Sequence, residues 1–202
     1  MLTIGLCGAS GSGKSLLCHI LSEHGIPIFD CDDVYHGLIS RDSAVTTELV
    51  QTFGDTVLAQ GGGIDRRRLS ERVFSDKSGQ SLQVLNEITH RHVMAECKKW
   101  ISEMHAAKSK AAVIDAPLLF EAHFESLCDL TVAVTAPREV RIQRIVERDG
   151  IDRSRAQRRI DAQLSDLVLE QRVDLVICND GDEEQLRQQA EHLLNLIKET
   201  AS

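Results

Sequence analysis

Gly8-Ala9-Ser10-Gly11-Ser12-Gly13-Lys14-Ser15 decides the fold, because it fits the G-x-x-x-x-G-K-[ST] pattern in a context where that pattern has physical meaning. The apolar run Leu2-Thr3-Ile4-Gly5-Leu6-Cys7 before it reads as a buried strand, and Leu16-Leu17-Cys18-His19-Ile20-Leu21 after it reads as a helix. A strand, a glycine loop and a helix N-terminus make an anion cradle. The glycines let the backbone curl so that successive N–H groups point inward, and the helix adds its partial positive charge. In such a loop Lys14 reaches the β- and γ-phosphates of a nucleotide and the Ser15 hydroxyl ligates Mg²⁺.

Outward from the loop, Ile26–Phe29, Ala111–Ile114, Leu130–Thr135 and Val173–Cys178 are further short apolar runs, separated by segments of helical periodicity. That alternation predicts an α/β fold with a central parallel sheet covered on both faces. Pro137 stands where the first residue of a helix over Arg138–Arg148 would be, with Val140, Ile142, Ile145 and Val146 as its apolar face. Asp182 or Gly181 is expected to cap a last helix over about Glu183–Lys198. From about Val45 to Ala107 no strand is legible, and Gly61-Gly62-Gly63 separates two helical stretches. This predicts an all-helical insertion suited to binding an acceptor, because ligands of open α/β sheets lie beyond the strands' carboxyl ends.

Three clusters carry further chemistry. Asp30-Cys31-Asp32-Asp33 follows the second strand, so a carboxylate there could accept a proton from an attacking hydroxyl; the alternative is a solvated turn or a helix cap before Val34. Asp32 is expected just past the strand's end, with Asp33 starting the next helix. Val113-Ile114-Asp115 ends the third strand in an acid, the Walker-B arrangement that helps hold Mg²⁺, usually through water; the alternative is a plain helix cap. Between Lys110 and Lys198 every basic residue is arginine, the residue whose planar fork suits phosphate. Arg141, Arg144 and Arg148 share a helical face that reads as a closing lid, or as a solvated face paired with Glu139 and Glu147. Arg66-Arg67-Arg68 is a second anion-seeking cluster.

Composition narrows the class. A chain of 202 residues is near the length of one domain, and a net charge of -8 argues against nucleic-acid or anionic-membrane partners held by bulk electrostatics. No apolar stretch approaches the ~20 residues of a membrane span, and the chain opens on strand and loop, so a cytoplasmic protein is expected. Cys7, Cys18, Cys31, Cys97, Cys128 and Cys178 form no C-x-x-C pair and read as buried free thiols. His90 and His92 do not have the spacing of a helical metal pair.

These features together resemble the dephospho-coenzyme A kinase family from about Ile4 to Gly181. The selective matches are Gly11-Ser12-Gly13-Lys14-Ser15, Asp30-Cys31-Asp32 after Gly25-Ile26-Pro27-Ile28, Ile64-Asp65-Arg66-Arg67, His90, Asp115-Ala116-Pro117-Leu118-Leu119-Phe120-Glu121 and Asp174-Leu175-Val176-Ile177-Cys178-Asn179-Asp180-Gly181. The family usually has proline where this chain has Arg91, which could alter a helix start; Cys31 and Val173 are milder departures. The resemblance implies a single P-loop kinase domain over 1–202 with a three-layer nucleotide core (about 1–44 and 111–202), a helical coenzyme A-binding part (about 45–110) and an arginine-rich lid (about 138–165). It implies transfer of the γ-phosphoryl of ATP, with Mg²⁺, to the ribose 3′-hydroxyl of dephospho-coenzyme A.

Carried over residue by residue, Ser10, Gly11, Ser12, Gly13, Lys14, Ser15 and Asn179 bind ATP, and Asp32 is the catalytic base or hydroxyl-orienting carboxylate. Arg144 and Arg148 stabilise charge, and Arg66, His90 and Glu121 lie on the acceptor side. Ser15, and Asp115 through water, hold the metal. The resemblance leaves the oligomeric state open. A nucleoside or nucleoside-monophosphate kinase would satisfy the loop and the arginines equally, but not the Asp115–Glu121 stretch. A nucleotide-gated switch is disfavoured because no Asn-Lys-x-Asp guanine-reading sequence occurs.

Overall fold

The computed structural model describes residues 1–41 and 43–200. The chain divides into two compact units, Met1–Phe29 with Ile101–Ser202 and, between them in sequence, Asp30–Trp100. The helical unit thus opens at Asp30 rather than near Val45.

The first unit is built on strands β1 (Leu2–Cys7), β3 (Ala111–Asp115), β4 (Leu130–Thr135) and β5 (Leu175–Cys178), with the short β2 (Ile28–Asp30) at one edge in the order β2-β3-β1-β4-β5. β1 pairs in parallel with β3 and β4, and β4 with β5. Helices α1 (Lys14–Glu23) and α9 (Glu183–Thr200) cover one face. There Leu17, Ile20, Leu21, Leu186, Leu193 and Ile197 meet Ile4, Leu6, Val113, Val132, Val134 and Ile177, all buried. Each such aliphatic side chain contributes on the order of 2 kcal/mol when fully buried, so this layer outweighs the small cluster that joins α6 (Arg138–Asp149) to α7 (Arg153–Asp161) through Ile142, Ile145, Ala156 and Ile160. On the opposite face the segment after β3 lies against β1, where a Cβ on Gly5 would come within 2.6 Å of Cys128 Sγ and 3.0 Å of Leu119.

Two strands are shorter than the apolar runs suggest. Ile26 donates its N–H to Leu21 O, closing α1, so β2 starts only at Ile28, although Pro27 O already accepts from Val113 of β3. Val173 N–H bonds back to Leu169 O at the end of α8 (Asp166–Glu170), which delays β5 to Leu175. Pro137 is the residue before α6 rather than its first: its ψ of 139° is extended, and its carbonyl accepts the Arg141 N–H. Asp182, not Gly181, caps α9, taking the Gln185 N–H at 3.0 Å. Cys178 is exposed and Cys128 half-buried, unlike the other four free thiols.

The second unit contains α2 (Cys31–Ile39), α3 (Ala44–Phe53), α4 (Arg66–Phe74) and most of the long α5 (Gln80–Ala106). Its only strand-like pairing among the described residues is a single bridge between Leu58 and Ile64. The helix starts are side-chain caps: Asp30, Ser43 and Asp65 each accept backbone N–H groups of the following first turn. The Gly61–Gly63 turn is a docking requirement as well as a break. Gly63 has φ of 74°, and a Cβ there would sit 2.6 Å from the Ser40 backbone, which Ile64 secures by donating to Ile39 O at 2.7 Å.

Candidate active site

The phosphate loop joins β1 to α1 as the sequence pattern requires. Gly13 adopts φ of 98°, and a Cβ there would fall 2.0 Å from Asn179 Nδ2, so both conformation and proximity call for glycine. Asn179, buried just after β5, donates Nδ2–H to Ser12 O at 2.8 Å, and its own N–H goes to Thr135 O. Arg144 of α6 reaches across the same place, donating to Gly11 O, Asn179 O, Asn179 Oδ1 and Gly181 O at 3.2–3.4 Å. The loop is therefore fixed from β5 and α6, and its carbonyls are turned into the protein. The Ser12 Oγ is buried without a protein partner.

Lys14 forms a buried ion pair with Asp115 at the carboxyl end of β3. The other Asp115 oxygen accepts from Cys18 Sγ at 3.3 Å, a contact with no counterpart in the sequence reading. The Cys7 thiol, ending β1, is pushed up to about 12, first by burial and then by Glu121; Lys14 and Arg172 pull the other way. Four charged groups, Lys14, Asp115, Glu121 and Arg172, thus gather at this edge of the sheet. Arg172 stacks 4.1 Å over the Phe120 ring. A cavity of about 280 Å³ opens beside the loop, lined by Gly8, Ala9, Leu118, Glu121, Gln163 and Leu169 among others.

The three arginines of the α6 face part company. Arg141 is buried, bonded to Ser10 O and to both oxygens of Asp166. Arg144 is half-buried on the loop. Arg148 is exposed and holds Asp149 through Nε and Nη2, and Asp149 also takes Arg159. Asp149 is held below the usual carboxylate range by these contacts, Arg148 first. Periodicity groups the three on one face; depth and neighbouring carboxylates separate them.

In the helical unit the strand ends at Asp30, whose carboxylate accepts the Asp32 and Asp33 N–H groups at 2.9 and 3.0 Å. The helix therefore starts at Cys31, and Asp32 lies in its first turn rather than on an extended tail, because one cap satisfies two orphan amides at once. Arg66 begins α4 near Tyr35 of α2: burial raises the Tyr35 hydroxyl's pKa and Arg66 opposes it. Asp32 and Arg66 are thus carried at the starts of two neighbouring helices. His90 is half-buried on α5. Arg91 does not alter a helix start: α5 runs through it unbroken, and Arg91 and His92 both hold Glu48 of α3, keeping its carboxyl below the usual range.

Among the described residues no group of three or more His, Cys, Asp or Glu is placed to hold a metal by itself, and no helix is long and apolar enough to cross a membrane.

Comparison with known proteins agrees along the whole chain. A family model described as dephospho-CoA kinase matches residues 2–185. The dephospho-CoA kinase of Corynebacterium efficiens is 36% identical over 194 residues, 96% of each chain, and that of Carboxydothermus hydrogenoformans is 38% identical over 189 residues, 92% of this chain and 89% of the other. A crystal structure from Thermus thermophilus matches with a TM-score of 0.81 at 29% identity, covering 96% of this chain and 97% of that one. For the Campylobacter jejuni dephospho-CoA kinase the TM-score is 0.65 at 21% identity over 96% of both chains, a likeness of fold. With a strand-loop-helix phosphate cradle, an acid closing β3 against Lys14, and these relatives over nearly its full length, the chain belongs to the dephospho-CoA kinase family.

Proposed function

We propose that the protein transfers the γ-phosphoryl group of ATP to the ribose 3′-hydroxyl of dephospho-coenzyme A, releasing coenzyme A and ADP in the last step of coenzyme A synthesis. The observation that carries this reading is the family match over residues 2–185 on a chain whose phosphate loop is already held in shape.

Phosphoryl transfer asks a protein chiefly for positioning and for charge opposite the phosphates. The Ser10 N–H is held by Gln163 and the Ser12 N–H by Ala9 O, so the loop offers phosphate its remaining backbone N–H groups and the N-terminus of α1, and Lys14 brings an ammonium already desolvated beside Asp115. Arg144, which ties Gly11 to Asn179, keeps the cradle from spreading as charge builds. Asp32 orients the acceptor hydroxyl and takes its proton, while Arg66, His90 and Glu121 bind the acceptor. Arg148, released from Asp149, would neutralise the phosphoryl oxygens.

The donors suit magnesium: the exposed Ser15 hydroxyl and the Asp115 carboxylate are hard oxygens. Asp115 already holds Lys14 with one oxygen, which favours its acting through water. Held by Ser15 and, through water, by Asp115, magnesium would supply positive charge opposite the phosphates. A cytoplasmic location and a requirement for Mg²⁺ belong to this same reading.

The test is ADP release with dephospho-coenzyme A, adenosine, AMP and uridine as acceptors. Turnover with dephospho-coenzyme A alone is expected; preference for AMP or a nucleoside would replace the reading with that of another small-acceptor kinase.

A further inference from the structure

Ser10 is gripped by both of its backbone polar atoms, and both grips lead to the segment after α7. Its N–H donates to Gln163 Oε1 at 2.9 Å, across 153 residues of sequence. Its carbonyl accepts from Arg141 Nε at 3.1 Å, and the same guanidinium holds both oxygens of Asp166, the first residue of α8, at 2.9 and 3.0 Å. The Arg141 side chain is only 4% exposed, and the α6 backbone at Arg141 comes within 2.8 Å of where a Cβ on Gly11 would stand. Gln163 and Leu169 also line the cavity beside the loop, together with Glu121.

We propose that Gln163 is a positioning residue for phosphoryl transfer, which with the Arg141–Asp166 pair locks the orientation of the two peptides that flank the Ser10 Cα and so couples docking of residues 162–169 to the shape of the phosphate loop. A peptide plane can flip: a flipped Ser10–Gly11 peptide would turn the Ser10 carbonyl oxygen to where the Gly11 N–H must face an anion, and a flipped Ala9–Ser10 peptide would turn away Ala9 O, which holds the Ser12 N–H. Arg141 opposes the first flip and Gln163 the second. Arg141 is suited to its share because a rigid guanidinium can serve a carbonyl and a carboxylate at once, which an ammonium on a flexible stem does poorly. Burial of the Arg141–Asp166 pair makes losing one partner costly, since a charge would be left without compensation. Gln163, a neutral acceptor, fixes the amide without adding a negative charge beside the phosphates. The Asp115–Glu121 shelf and the loop then face a cavity wall held in register by the same contacts.

The kinetic part of this proposal rests on the kinase reading above, so the test has an arm that does not. Amide hydrogen exchange at Ser10 in the ligand-free protein should be slow, and Gln163→Ala should speed it by about tenfold or more, while Gln163→Glu, which keeps the accepting oxygen, leaves it slow. With ATP and dephospho-coenzyme A, Gln163→Ala should lower kcat by about tenfold while the KM for ATP changes less than about twofold, as expected for misplacement rather than lost binding. Combining Gln163→Ala with Asp166→Asn should cost less in kcat than the product of the two single losses, since both loosen adjacent peptides of one turn of the loop. Unchanged Ser10 exchange in Gln163→Ala overturns the proposal whatever the acceptor proves to be; so does a rise in KM for ATP at constant kcat. A wild-type protein inert toward dephospho-coenzyme A would sink the kinase reading while the exchange result still decides the role of Gln163.

Discussion

The two units differ in how far their polar contacts reach along the chain. Around the phosphate loop nearly every directed contact is remote in sequence: Lys14 to Asp115, Ser10 to Gln163, Ser12 to Asn179, Gly11 to Arg144. In the helical unit the defining contacts are local. Asp30, Asp65 and Asp76 each serve amides two to five residues on, and the main long-range polar tie is Glu48 to Arg91 and His92. The phosphate side is thus pre-organised by the tertiary fold, whereas the helical side presents its charged residues from individually capped helices. Electrostatic stabilisation needs fixed dipoles, and fixed dipoles need such remote ties.

The largest expected effect lies on the pre-organised side. Lys14→Met should lower kcat by at least about 10²-fold and, by stranding the buried Asp115 charge, should also cost about 3 kcal/mol of stability. Adding Asp115→Asn should restore the melting temperature but not turnover, which separates the two roles; recovery of turnover would break the contrast. Next, Asp32→Asn should leave ATP and dephospho-coenzyme A binding in place while transfer falls by about 10²–10⁴-fold. Asp30→Ala should act through its helix, costing about 1 kcal/mol as a lost cap. If Asp30→Ala abolishes transfer without destabilising the helix, the roles of the two carboxylates are reversed.

A smaller difference is expected within the arginine face. Arg144→Lys should lower kcat by about tenfold or more, because a single ammonium cannot serve four carbonyl oxygens. Arg148→Lys should cost less than about threefold, because it keeps the positive charge on an exposed side chain that must first leave Asp149. An equally small loss in Arg148→Ala would show that Arg148 stays on Asp149 during turnover and does not reach the phosphoryl oxygens.

The contrast also explains what could be read from the sequence. The loop, the alternating strands and helices and the strandless middle were legible because each is a local pattern, and the acid ending β3 was placed by its strand although its role had two readings. The exact starts of β2 and β5 were not, since α1 and α8 draw Ile26 and Val173 into their closing turns. Nor was the helix start at Cys31, because nothing in Asp30-Cys31-Asp32-Asp33 says which carboxylate becomes the cap. Periodicity put Arg141, Arg144 and Arg148 on one face but could not say that Arg141 is buried against Asp166. Gln163 and Cys18 carry no signature, as each acquires its partner only through folding.

The smallest effects are thiol titrations, one buried cysteine in each unit. Cys7 and Cys97 are both pushed up to about 12 by burial, from the ordinary 9.0. A raised folded-state pKa favours the neutral thiol, so this stabilisation is complete below about pH 9 and is lost as pH climbs toward 12. Denaturant midpoints should therefore fall between pH 9 and 12, and a thiol reagent at neutral pH should label the exposed Cys178 first. Fast labelling of Cys7 before Cys178 would contradict the packing of β1.

The proposed phosphorylation of the ribose 3′-hydroxyl of dephospho-coenzyme A is best tested by following label from γ-labelled ATP into dephospho-coenzyme A and into its 3′-deoxy analogue. Label should appear as a 3′-phosphate on the former and be absent from the latter. Equal labelling of the 3′-deoxy analogue, or label only in free phosphate with either acceptor, would contradict it.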